Sequence, residues 1–212
     1  MGSQLKGPFG GFSGKTGPLP GIIARGKSFI TSLHTPSKKT PTQRQLDQRN
    51  KFGLVTSQLA YFSDLIDIGF RDYSVAPMNL AVSYNLENAV TRDSPNFTIN
   101  FSKLSFSRGK LAAPRNVAAE SVADAKMVFT WTASDNVQKL THPADMLMVL
   151  IYNPAKQDCI TSINAAKRAD LTCTIQLPLD FAGDEVHCYV AFEGIEGKVS
   201  DSIYVGAVEM IA

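Results

Sequence analysis

The stretch EVHCYVAF at residues 185–192 is one of a series of short apolar runs that fill the C-terminal half of the chain. Each run has the length of a single β-strand, and turn-forming residues separate the runs at intervals of 8–15 positions. Six such strands in fewer than 100 residues predict an antiparallel β-sandwich. The runs lie at residues 127–132, 146–152, 160–163, 171–177, 185–192 and 202–208.

Upstream of these runs, the segment 97–106 also shows a period of two. Phe97, Ile99 and Phe101 alternate with polar residues, which is typical of a half-buried strand. We therefore expect a strand here that either connects the two parts of the chain or extends a sheet.

Before residue 97 the apolar residues recur with the period of a helix. Thr40 is a good N-cap, Pro41 suits the first helical position, and Gln43 completes the spacing of a capping box. These signals predict a helix over 41–68 and a second helix over 77–90, packed as a pair. The apolar stripe of the first helix consists of Phe52, Val55, Leu59, Phe62 and Ile66.

The first 41 residues contain eight of the 15 glycines and five of the 11 prolines, a composition that favours turns over a buried face. Within them, residues 22–30 form two extended runs about a turn and predict a β-hairpin that needs a surface to pack on. The predicted fold class is α+β: a basic, Gly-rich N-terminal arm with a β-hairpin and two helices, followed by an antiparallel β-sandwich. The predicted domains are 1–95 and 96–212, with the core module of the sandwich at about 114–212.

Charge is divided unevenly along the chain. Residues 1–51 hold nine Lys or Arg side chains against one acid, Asp47, a net charge of +8. Residues 52–212 hold 12 basic and 18 acidic side chains, a net charge of −6. A basic arm on an acidic body favours attraction between copies of the chain, or binding of the arm to nucleic acid.

Targeting and membrane signals are not evident in the sequence. No apolar run reaches the roughly 20 residues that span a bilayer, and the Gly-rich start lacks the apolar block of a secretory signal. We expect no membrane insertion and synthesis in the cytoplasm, and the sequence leaves the final location, virion or cell surface, open.

Catalytic and ligand-binding motifs are incomplete. Residues 10–16 resemble a phosphate-binding loop, but Phe9 stands where that loop needs its first glycine, and Pro18 prevents the helix that should follow. The three histidines lie far apart, and His187 and Cys188 should point to opposite faces of one strand. We predict no enzyme, no catalytic or metal-binding residue, no cofactor and no small-molecule substrate, with an enzyme as the least favoured alternative.

Three cysteines lie in the last quarter of the chain. Their odd number and the absence of a CxxC motif favour free thiols that act as small core residues. A Cys159–Cys173 bridge is the alternative under oxidising conditions.

Several residues of the C-terminal half match a known pattern. Pro114 precedes the first strand, Trp131 lies in an apolar strand, Tyr152 ends another, and the run 186–192 is followed by Gly-containing turns. In these features the chain resembles a fibronectin type III or related immunoglobulin-like domain. The resemblance implies a sandwich whose core contains Trp131, and a role as a spacer or adhesive module.

The N-terminal half carries a second resemblance. Its residues 10–18 are followed by Arg25-Gly26-Lys27, then by Pro41-Thr42, and later by 65–70 and 81–85. With these motifs the whole chain resembles an uncharacterised family of short proteins of unknown function from Bacteroidota. The resemblance therefore assigns neither an activity nor site residues. A similar order, a Gly-rich basic hairpin and then a helix with a Pro-Thr start, occurs in phage and prophage structural proteins.

Cations and aromatic residues of the arm are the candidate interaction residues. The leading hypothesis is a non-enzymatic structural or interaction protein that self-associates through its N-terminal half, as a homo-oligomer or within a phage-derived or surface assembly. The alternative is a nucleic-acid-binding protein that uses the same arm. The candidate residues are Phe12, Lys15, Arg25, Lys27, Phe29, Lys38, Lys39, Arg44 and Arg49.

Overall fold

The computed structural model describes residues 3–4, 11–24, 26–33, 35, 39–71, 75–133 and 141–211. The chain divides into two compact units, Met1–Thr42 and Gln43–Ala212. Each unit has its own sheets, and all strand pairs in them are antiparallel.

The first unit is a small four-stranded sheet. Its strands lie in the order β1-β2-β3-β4, so that each strand pairs with the next one along the chain. Gly17 and Gly26 occupy the turns on either side of β3, both with positive φ (59° and 72°), a conformation that glycine adopts without strain. The strands are β1 (Ser3–Gln4), β2 (Phe12–Thr16), β3 (Leu19–Ala24) and β4 (Lys27–Ile30).

The second unit begins with three helices, α1 (Gln43–Ala60), α2 (Ser63–Gly69) and α3 (Pro77–Asn88). The prediction of one continuous helix over 41–68 is wrong. Phe62 has φ −127° and ψ 39°, which interrupts the helix between α1 and α2. The interruption leaves Phe62 in the same hydrophobic core as Leu65 and Ile66 of α2.

Seven strands follow and form two packed sheets. The four-stranded sheet has the order β11-β10-β7-β8, and the three-stranded sheet has the order β5-β6-β9. The predicted α+β class with an antiparallel β-sandwich is thereby confirmed. The strands are β5 (Arg115–Val122), β6 (Lys126–Thr132), β7 (Met146–Asn153), β8 (Asp158–Ser162), β9 (Thr172–Gln176), β10 (Glu185–Glu193) and β11 (Ile203–Glu209).

The predicted strand at 97–106 is wrong. This segment makes one isolated bridge at Ile99 and a single 3₁₀ turn at Phe101–Lys103. Its backbone is held by the fully buried side chain of Asn85, which accepts from the N–H of Ser105 at 2.9 Å and donates to the Ser105 carbonyl at 2.8 Å. At Ser105 a side chain thus makes the hydrogen bonds that a strand partner would make. We call residues 97–108, which pack on the four-stranded sheet, the strap.

The sheet β11-β10-β7-β8 is buried on both faces. The second unit therefore has three layers, with the helices on one side of this sheet and the three-stranded sheet on the other. Consecutive residues of β7 and β10 are buried, as expected for strands covered on both sides. One face packs on the helices and the strap, and the other packs on the three-stranded sheet around Trp131. The prediction grouped the helices with the arm in residues 1–95, whereas the compact unit starts at Gln43 because the helices share a core with β7 and β10.

Candidate interaction surface

The N-terminal sheet presents two chemically different faces, and its strand register decides which side chains lie on each. Lys15 pairs with Pro20, Ile22 pairs with Phe29, and Ala24 pairs with Lys27. Cross-strand partners and alternate residues of one strand point to the same face. We call this side the lysine face, defined by Lys15, Pro20, Ile22, Ala24, Lys27 and Phe29.

The remaining pairs define the opposite side. Thr16 pairs with Leu19, Gly21 pairs with Ile30, and Ile23 pairs with Ser28. Among the residues described there, none is charged. We call this side the apolar face, defined by Phe12, Thr16, Leu19, Gly21, Ile23, Ser28 and Ile30.

Phe12 belongs to the apolar face because its ring lies over Gly21. A Cβ atom built on Gly21 would stand 2.6 Å from ring carbon Cδ2 of Phe12, inside van der Waals contact. Glycine is therefore required at position 21 for Phe12 to pack on the sheet.

Large apolar side chains are exposed on both faces. On the apolar face Leu19, Ile23 and Ile30 are 47%, 41% and 61% exposed, and on the lysine face Ile22 and Phe29 are 52% and 49% exposed. The sheet thus has strand pairing without a core of its own.

The predicted interaction residues fall into separate groups. Lys15, Lys27 and Phe29 share the lysine face, while Phe12 lies on the apolar face. Lys39 lies in the bend that precedes α1, and Arg44 and Arg49 lie on α1 in the second unit. The predicted residues Arg25 and Lys38 lie outside the described residues.

The first half of α1 exposes apolar side chains that the sequence predicted to be buried or left unassigned. Phe52 was expected in the apolar stripe but is 52% exposed, and Leu46 is 38% exposed. Both precede Val55, the first buried residue of this helix. From Val55 onward the stripe joins the hydrophobic core that α1 shares with α2, α3 and the four-stranded sheet.

A polar cluster at one end of the sandwich was missed by the sequence analysis. Arg168 Nε donates to Asp145 Oδ2 at 2.9 Å, and the two side chains are 12% and 2% exposed. The guanidinium also lies 3.8 Å from the ring centroid of Phe192, and its Nη2 donates to the carbonyl of Ala112. Burial lowers the pKa of Arg168, and the hydrogen bond to Asp145 opposes that shift. These contacts connect loops and strands, so we interpret the cluster as structural.

His187 lies on β10 and packs against the strap. Its ring stacks on Phe101 with centroids 4.3 Å apart, and its Nδ1 lies 2.9 Å from the hydroxyl of Tyr204. Burial lowers the pKa of His187, so the imidazole is neutral at pH 7. His187 therefore acts as an aromatic, hydrogen-bonded part of the packing.

Metal ligands and reactive thiols receive no support from the geometry. In the described ranges no group of three His, Cys, Asp or Glu side chains could hold a metal ion, and His34 lies outside those ranges. The three thiols are free, and burial raises the pKa of Cys159 to about 11 and of Cys188 to about 12. Of the helices that the structure describes, none has the length and apolar character needed to cross a membrane.

The sequence of the chain matches a family model over residues 11–206, which includes strands β2–β4 and most of the second unit. The chain belongs to DUF6266, a family of unknown function. The DUF6266 match agrees with the predicted membership of an uncharacterised family, and the Bacteroidota source stays a prediction. No curated protein matches the chain.

Two solved structures are similar to part of this DUF6266 chain. One is the fn3 domain of human collagen alpha-1(XX) chain, with 14% identity, a TM-score of 0.33, and coverage of 48% of this chain and 87% of that chain. The other is described as a myokine structure, with 16% identity, a TM-score of 0.33, and coverage of 49% and 100%. The assignment of a sandwich to the C-terminal half rests on its strand order.

Proposed function

We propose that this protein is a non-enzymatic structural or interaction protein that self-associates through its N-terminal half. The observation that supports this proposal best is the sheet of the first unit, whose described residues expose large apolar side chains on both faces. A small sheet with large apolar side chains exposed on both faces is marginally stable in water. Contact with a second copy supplies the missing cover.

The energy available from such a contact is considerable. Full burial of a Leu, Ile or Phe side chain contributes roughly 1.5–3 kcal/mol. Leu19, Ile22, Ile23, Phe29 and Ile30 are each 41–61% exposed, so about half of that amount remains for each of them. Exposed apolar sheet surfaces of this kind are typical association sites.

Charge gives a second reason for association between copies. The net charge of +8 on residues 1–51 and of −6 on residues 52–212 attracts the arm of one copy to the body of another. Such a head-to-tail contact joins unlike surfaces and generates rings or filaments. We include in the proposal a phage-derived or surface assembly in Bacteroidota, with the virion or cell surface as its location, on the resemblances described above.

Sedimentation velocity of the full chain at low and high salt tests the proposal. We expect species heavier than the 23.0 kDa monomer. The distribution of sedimentation coefficients should shift towards smaller species when Lys15 and Lys27 are both replaced by Glu. The matched control replaces Lys15 and Lys27 by Arg, which keeps both positive charges at the same positions, and leaves the distribution unchanged. A single 23.0 kDa species under all conditions would contradict the proposal.

A second candidate function is binding of single-stranded nucleic acid by the lysine face. The observation that favours it is the position of Phe29, an exposed ring on the same face as Lys15 and Lys27, in an arm whose first acid is Asp47. A base stacked on an aromatic ring gains about 1–3 kcal/mol, and lysines beside it contact phosphates.

Fluorescence anisotropy of a labelled oligonucleotide tests this second function. We expect binding that weakens steeply with salt and that Phe29→Leu reduces, because leucine keeps the apolar volume but removes the stacking ring. Ile22→Leu, an exposed residue of the same face, is the control and leaves binding unchanged. No binding at low salt would exclude this candidate.

A further inference from the structure

We infer that the apolar face of the N-terminal sheet is the surface through which two copies of this chain pair, face to face about a two-fold axis. The inference rests on the proposed self-association and adds a two-fold contact between two N-terminal sheets to the head-to-tail contact of arm and body. In this arrangement the two lysine faces point outward, away from the contact.

The distribution of charge selects the apolar face for pairing with a second copy. A two-fold contact brings identical surfaces together, so any cation on the surface meets the same cation of the partner copy. Lys15 and Lys27 both lie on the lysine face, and packed sheets stand only about 10 Å apart. Pairing through the lysine face sets four ammonium groups against one another, whereas the apolar face meets its copy without charge repulsion.

The composition of the apolar face also suits sheet-on-sheet packing. Leu19, Ile23 and Ile30 are the large aliphatic residues on this face, and its polar residues are the hydroxyl residues Thr16 and Ser28. Two of the three aliphatic side chains are β-branched and lose little rotamer freedom on burial. The ring of Phe12, already packed on Gly21, widens the apolar area.

Two neighbouring isoleucines offer a matched test. Ile22 and Ile23 are the same residue type and are 52% and 41% exposed, but they lie on opposite faces of β3. The experiment measures the dimer dissociation constant of the full chain by sedimentation equilibrium for Ile22→Asp and Ile23→Asp. We expect Ile23→Asp to raise the constant by about tenfold or more, because a charge enters the contact in both copies, and Ile22→Asp to leave it within about threefold.

A second pair of variants serves as a control for loss of the sheet structure itself. Should circular dichroism show that an aspartate variant loses strand structure, Ile22→Ala and Ile23→Ala decide instead, with weaker association expected for Ile23→Ala alone. Added salt should leave the two-fold dimer intact while it dissociates head-to-tail contacts, because no residue described on the apolar face is charged.

The possible outcomes separate the inference from the proposed function. A larger effect of Ile22→Asp than of Ile23→Asp, or equal effects, overturns the inference and moves the contact to the lysine face or elsewhere. Dissociation of the dimer itself to monomers by salt assigns its contact to the arm and the acidic body and also overturns the inference. A wild-type chain that never associates overturns the proposed function as well.

Discussion

Replacement of Gly69 by alanine should destabilise the second unit by about 2 kcal/mol. A Cβ atom on Gly69 would stand 2.8 Å from both Cα and Cβ of Ser107 and would also overlap the carbonyl oxygen of Phe106. The strap must move away from α2 to admit a methyl group, and such overpacking costs about 1–3 kcal/mol. The same movement weakens the hydrogen bond from the N–H of Arg108 to the carbonyl of Gly69, now 2.9 Å long, at a cost of about 1 kcal/mol.

Alanine is favoured over glycine in a helix, and this preference offsets about 0.5–1 kcal/mol of the loss in stability. The net value of about 2 kcal/mol follows, and with a urea slope of about 2 kcal/mol per M the midpoint falls by about 1 M. The fluorescence of Trp131 is a suitable signal, because this single tryptophan is buried in the sandwich core, away from Gly69. A shift seen by Trp131 therefore also shows that the helices and the sandwich unfold together.

Gly53 provides the matched control for this experiment. It lies within α1, and a Cβ atom built on it would meet nothing within 4 Å. Gly53→Ala should raise the free energy of unfolding by about 0.5–1 kcal/mol, opposite in sign to Gly69→Ala. A Gly69→Ala variant as stable as the wild type would refute the reasoning about the contact between the strap and α2.

Three further predictions concern the second unit. Asp145→Ala should lower the free energy of unfolding by about 3–5 kcal/mol in urea titrations, because Arg168 keeps a buried charge without its carboxylate; an unchanged midpoint would contradict this. Because burial lowers the pKa of His187 below 6.5, its contribution to stability is complete above pH 6.5 and is lost as the pH falls through the lowered pKa. His187→Gln should therefore flatten the dependence of the melting temperature on pH below 6.5, and an identical slope would refute it. Glu209→Lys should increase the free energy of unfolding by about 0.2–1 kcal/mol and so raise the melting temperature, because Glu209 lies directly opposite Glu185 on the neighbouring strand and the two like charges repel. A lower melting temperature would argue against that register.

The sandwich was predictable because its signals are local. Each apolar run of strand length, such as 146–152 and 185–192, corresponds to a strand of the structure. Val55 and Leu59 are buried as the helical stripe predicted. In these segments, the pattern of neighbouring residues alone specifies both the element and the side chains that it buries.

The strap and the polar cluster depend on contacts between residues distant in sequence. Asn85 supplies the hydrogen bonds that hold Ser105, and a period-two pattern cannot reveal that a side chain replaces the partner strand. Arg168 and Asp145 are 23 positions apart and meet only after the strands of the sandwich have paired. Phe52 looks like a core residue in the sequence, but the buried part of α1 begins only at Val55.

For the candidate surface, the sequence identified the residue types but not their arrangement. It singled out Lys15, Lys27 and Phe29 as one mixed set with Phe12. Their division between two faces depends on the register of β2, β3 and β4, which the turns at Gly17 and Gly26 determine. A shift of one residue in either hairpin would exchange the faces, so composition alone cannot separate a cationic side from an uncharged one.

The molar mass of the full chain in solution, measured by light scattering over a dilution series, tests the central claim most directly. Self-association through the N-terminal half predicts a mass above 23.0 kDa that declines towards the monomer on dilution. A mass of 23.0 kDa at every concentration would mean that the exposed apolar residues of the first sheet join no second copy, and it would contradict the account.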